Sequence, residues 1–117
     1  MRHEASFLKD ILAASKKIET ITSGTTEEHF LKDEVLSAAV LHHLTVIGEA
    51  INRLSPDLKA RNAGVPWHLI VAVRHRIVHA YFDLDWEILW NAAKDDIPQL
   101  REQVSRILES EFPDCNG

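Results

Sequence analysis

Arg74, His75, His79 and Tyr81 fall within eight residues of one another, in "VRHRIVHAYF", residues 73–82. They interrupt a run of Val, Ile, Ala and Phe that follows the nearly wholly apolar "WHLIVA", 67–72. A guanidinium keeps its proton in a protein, so an arginine among apolar residues needs an anion, a helix C-terminus or a subunit boundary. Histidine both accepts and gives up a proton near neutral pH. An anion-binding arginine with two histidines and a tyrosine along one edge is therefore a candidate acid–base site. The plainer reading pairs Arg74 with a core carboxylate, Glu49 or Asp96, and leaves the histidines as ordinary core or surface groups.

A helix has to carry these groups. At about 100° per residue, a helix from Pro66 to Tyr81 puts Ile70, Val71, Ile77 and Val78 on one face with Arg74 at its centre. Tyr81 lies about 20° from Arg74, two turns on, and His68, His75 and His79 form a stripe along the edge. The rest of the chain is helical in pattern. Phe7, Leu8, Ile11, Leu12, Ile18 and Ile21 predict an amphipathic helix over 3–22. Gly24 suits its C-terminal cap, and Thr25 or Thr26 caps a short helix opening with Glu27 and Glu28. A long helix follows over 33–54, and Ser55-Pro56-Asp57 opens another short one. Asp83 or Asp85 caps a last helix running to about Glu109, which Pro98 should kink. No alternating run is long enough for a strand. The expected fold is an all-α, up-and-down bundle of four to five helices, one domain over 1–112 with a tail at 113–117.

Composition narrows the class. The chain has 117 residues, a formal net charge of −5 and one cysteine, Cys115. That charge argues against a surface built broadly for nucleic acid, so any such contact is local. A lone tail cysteine forms no internal disulfide, and no stretch reads as a signal peptide or an uninterrupted membrane span. A cytoplasmic protein is the expectation.

The chain also resembles a family. "RHRIVHAY", Arg74 to Tyr81, matches the R-x4-H-x-Y motif of HepT-like proteins in the HEPN superfamily. "DIL" at 10–12, "VIGEAINRLSPDLKAR" at 46–61, "VPWHLI" at 65–70, "HAYFDLDWEILW" at 79–90 and "DDIPQL" at 95–100 follow in the expected order. The resemblance implies a symmetric homodimer with the two motifs meeting near the two-fold axis. It implies a metal-independent endoribonuclease, without cofactor, acting as the toxin of a toxin–antitoxin pair. The antitoxin would be an MntA-like nucleotidyltransferase that adds AMP to Tyr81. On the matched positions Arg74 binds the scissile phosphate, His79 is the general acid or base, and His75 assists. Ala80 stands where the family commonly has glycine, which extends the helix toward Tyr81. The chemistry is coherent with the residues, because RNA supplies its own 2′-OH nucleophile and needs a base, an acid and a cation at the phosphate.

Two other readings compete. His75 and His79 are spaced i, i+4 as metal ligands can be, with His68, His42 and His43 as further donors, but no companion carboxylate or cysteine stands in place. The stronger rival is a non-catalytic helical subunit of a nucleotidyltransferase, in which Arg74 and Tyr81 bind nucleotide or the partner. Glu49 is expected to orient Arg74. Trp86 and Trp90, i and i+4 on the last helix, are expected as packing or dimer anchors rather than base-stacking groups.

Overall fold

A computed structural model describes residues 3–68, 71 and 85–114 of the chain. Every described element is helical: α1 (Glu4–Ser23), α2 (Glu27–Lys32), α3 (Glu34–Arg53), α4 (Pro56–Arg61), α5 (Trp86–Asn91), a π turn (Ala92–Asp96) and α6 (Ile97–Glu111). Trp67, His68 and Val71 are helical too, within the segment expected to open at Pro66. The all-α expectation holds.

Local chemistry sets most boundaries. His3 starts α1 by accepting the Ala5 N–H on its Nδ1 at 3.1 Å. Thr26, rather than Thr25, caps α2 through the His29 N–H at 3.2 Å. Asp33 caps α3 twice over, taking the N–H groups of Val35 and Leu36 on one oxygen at 2.9 and 3.1 Å. Ser55 takes the Leu58 N–H at 3.1 Å ahead of Pro56, and Asp85, not Asp83, caps α5. Each side chain satisfies donors that the first helical turn leaves without partners. Gly24 ends α1 with φ −92° and so needs no glycine-only conformation there.

The core is built on α1. Its Leu8, Ile11 and Ile18 are fully buried, as are Leu44, Ile47 and Ile51 of α3 and Leu100, Val104 and Leu108 of α6. Helix α1 packs along both α3 and α6. Phe30 of α2 closes one end, its ring 5.1 Å from that of Trp90. Trp90 and Trp67 are buried and Trp86 is half-buried against the core, so Trp67 and Trp90 pack rather than offer open stacking faces.

The expected kink takes a specific form. Proline cannot donate to the preceding turn, and its ring crowds the carbonyl four residues back. The chain widens ahead of Pro98 into the π turn, where the Ile97 N–H reaches the Ala92 carbonyl five residues back. Pro98 then sits in the first turn of α6, the place where a missing donor costs least.

Candidate functional site

Arg74, His75, His79 and Tyr81 lie outside the described residues, as do Asp83 and Cys115. What is described is the ground on either side of that segment. Glu49, the expected companion of Arg74, is half-buried on α3 and lines a groove of about 840 Å³ along the α1–α3 seam. Glu4, Phe7 and Asp10 come from α1; His42, Thr45, Val46 and Arg53 come from α3. These α3 positions recur at three and four residues, so they form one stripe of the helix. The groove is amphipathic, with three carboxylates, one guanidinium and one imidazole around an apolar floor. Among the described residues no group of three or more His, Cys, Asp or Glu side chains is arranged to hold a metal ion.

Two devices fix the edges of this ground. The Glu4 carboxylate accepts the Ser55 N–H at 2.6 Å, tying the start of α1 to the α3–α4 junction. The other device lies where the motif segment begins. Trp67 donates its indole N–H to the Asn62 carbonyl at 3.2 Å. The Asn62 amide in turn donates to Glu111 Oε2 at 2.8 Å and to the Leu58 carbonyl at 2.9 Å. Arg61 donates Nε and Nη2 to Glu111 Oε1 at 3.2 and 2.8 Å. The bonds from Asn62 and then Arg61 hold the Glu111 carboxyl below the usual carboxylate range. Gln103 adds a bond to the Gly64 carbonyl at 3.3 Å. The loop leading into the motif is thus tied to α6 by polar bonds.

The paired histidines of α3 divide between two surfaces. His42 is exposed and lines the groove, while His43 is half-buried and lines a smaller cavity of about 330 Å³ with Lys16, Lys17, Thr20 and Ile21. Their rings lie 5.1 Å apart, edge to face. Burial, then His42 and Lys17, lower the His43 pKa from its ordinary value. The sequence reading offered His42 and His43 as further metal donors and gave Glu4, Arg53, Glu111 and the two lysines no role. Helical spacing alone carries the His42, Thr45, Glu49, Arg53 stripe; nothing local in the sequence pairs Asn62 with Glu111.

Comparison with known proteins gives one consistent answer. The family model described as "Ribonuclease HepT-like" matches residues 11–107. The chain is 32% identical over 111 residues to "Putative RNase TTE0752" of Caldanaerobacter subterraneus subsp. tengcongensis, covering 95% of this chain and 99% of that protein. It is 34% identical over 106 residues to "Probable ribonuclease HepT" of Thermococcus cleftensis, with 91% and 96% covered. A third relative, "Putative RNase MJ1380" of Methanocaldococcus jannaschii, is 30% identical over 103 residues, with 88% and 94% covered. No solved structure matches the chain significantly.

Proposed function

The chain belongs to the HepT-like ribonuclease family, and from that premise we propose that it is an endoribonuclease whose working groups are Arg74, His79 and His75. The observation that carries this reading is the family match over residues 11–107, which takes in the whole Arg74-to-Tyr81 motif. The relatives named as ribonucleases cover nearly the full chain, so the likeness is to whole proteins of this size rather than to a fragment.

The reaction needs no metal. A histidine takes the proton from the RNA 2′-OH as its oxygen bonds to phosphorus. A second proton donor protonates the departing 5′ oxygen as its bond to phosphorus breaks, leaving a 2′,3′-cyclic phosphate and a 5′-OH. His79 holds one of these roles and His75 assists. The Arg74 guanidinium lies against the phosphate oxygens and offsets the charge that builds there. One chain supplies a sparse set, and a symmetric dimer doubles it to two arginines and four histidines about one cleft. The chain then acts as a growth-arresting toxin in the cytoplasm, opposed by an MntA-like nucleotidyltransferase. AMP on Tyr81 would put a bulky anion beside Arg74 and close the pocket.

The test is expression of wild type, Arg74→Ala and His79→Ala without any antitoxin, following growth, total RNA and the stability of each purified protein. Growth arrest with new RNA fragments in wild type, lost in both folded variants, is the expected result. Harmless expression with intact RNA moves the chain to the non-catalytic partner role, with Tyr81 then examined for bound AMP. Glu49→Gln belongs in the same series, and unchanged stability and arrest would remove Glu49 from the site.

A further inference from the structure

The exposed face of α1 carries lysines that the motif chemistry leaves unused. Lys9, Lys16 and Lys17 fall within an arc of about 100° on the helix, with the small Ala13 and Thr20 on the same arc. All five residues are exposed. Among the described residues no carboxylate lies within ion-pair distance of the three lysines, whereas Lys32 and Arg61, Arg101 and Arg106 each have one. In a chain of net charge −5 this is a concentrated cationic face.

It is also shaped. Lys16 and Lys17 flank the cavity of about 330 Å³ that runs into the α1–α3 seam, with the Thr20 hydroxyl and His43 on its walls. Through the His42–His43 ring contact this cavity adjoins the larger groove that holds Glu49. Burial is the main cause that lowers the His43 pKa, and His42 and Lys17 add a smaller cationic contribution. A bound anion reverses the cationic part of that effect.

We propose that the Lys16–Lys17–His43 cavity, extended along α1 by Lys9, is a phosphate-binding track for the backbone of single-stranded RNA. The assignment rests on the ribonuclease reading for the identity of the ligand, but not for the existence of the cationic face. The recognised chemistry is the phosphodiester: the Lys16 and Lys17 ammonium groups contact phosphate oxygens without reading bases, while the Thr20 hydroxyl donates to the Lys16 carbonyl at 3.0 Å. Such contacts govern affinity and its salt dependence, not the choice of cleaved bond.

The experiment measures binding apart from cleavage. A 2′-O-methyl oligoribonucleotide of about ten residues lacks the nucleophilic hydroxyl and stays intact, so its affinity for wild type, a Lys16→Gln/Lys17→Gln variant and a Lys16→Arg/Lys17→Arg variant is followed across a salt series. Glutamine keeps helix propensity and removes charge. The expected result is about tenfold weaker binding in the glutamine variant, with the slope of log affinity against log salt smaller by about 1.4, and wild-type behaviour in the arginine variant. In wild type, the His43 ring resonances should report a raised pKa when the oligonucleotide is added, and much less change with inorganic phosphate at matched ionic strength. Equal affinity and slope in wild type and the glutamine variant overturn the track, as does absence of oligonucleotide binding by wild type. A His43 response to inorganic phosphate alone assigns the cavity to free anions and also overturns it. Intact binding with no cleavage of unmodified RNA leaves the track standing and removes the ribonuclease reading instead.

Discussion

Glu111 is the clearest single-residue case in which local bonding carries long-range consequence. Its two oxygens accept from Arg61 and Asn62, and Asn62 receives the indole N–H of Trp67 on its carbonyl. Its folded pKa is lowered, so the bond set stabilises the fold fully above the ordinary carboxylate pKa. That contribution falls away as pH drops through the lowered folded value. Because the carboxylate is partly open to solvent, its charge is worth about 1 kcal/mol rather than the larger sum its bonds suggest. Glu111→Gln is therefore expected to lower unfolding stability by about that amount at pH 7 and by much less at strongly acid pH. Urea denaturation at both pH values checks it, and an equal loss at each would mean that shape, not charge, holds the loop. None of this was legible in the sequence, since residues 62 and 111 meet only once α6 has packed along α1.

At the scale of elements, legibility follows the range of the interaction. Ser55–Pro56 and the Thr25-or-Thr26 start of α2 were readable because a cap and its donors lie within three residues. Asp33, by contrast, was read as the first residue of α3 and is instead its cap. The 20-residue α1 and α3 were readable because their buried residues repeat at helical spacing. Pro98 announced a disturbance but not its shape. Whether a helix bends, stops or widens depends on what holds the chain on both sides, and buried Ala93 and Ile97 anchor the turn here. Asp33 offers the sharpest test at this scale, because it is both the C-cap of α2 and the N-cap of α3. Its carboxylate accepts two backbone N–H groups, and its backbone N–H closes α2 onto the His29 carbonyl at 3.0 Å. Asp33→Ala keeps the backbone bond and loses the side-chain cap, so a loss of about 1 kcal/mol is expected. Calorimetry should show it as a lowered Tm with the fold intact. No loss would mean that the packing of α1 on α3 sets the start of α3 without help from its cap.

For the whole molecule, the question is how one small chain assembles a complete acid–base site. The groove along the α1–α3 seam brings Glu4, Asp10, Glu49 and Arg53 around one apolar floor, yet it holds only one histidine among its described residues. A reaction with separate proton acceptor and donor asks for more, and the proposed symmetric dimer supplies it by repetition. Repetition alone does not say whether each catalytic set is drawn from one protomer or from both. Mixing distinguishes the two. Arg74→Ala and His79→Ala chains, each inactive alone, are unfolded together and refolded as an equal mixture. Half of the dimers then carry one chain of each kind. If a working set takes Arg74 from one protomer and His79 from its partner, each mixed dimer has one complete set, and the mixture recovers about a quarter of wild-type cleavage. If each set comes from a single protomer, no dimer in the mixture has a complete one, and cleavage stays at the level of the separate variants. Recovery is the expected outcome under the proposed dimer, in which a two-fold axis at the motifs would bring the partner's groups to the same phosphate.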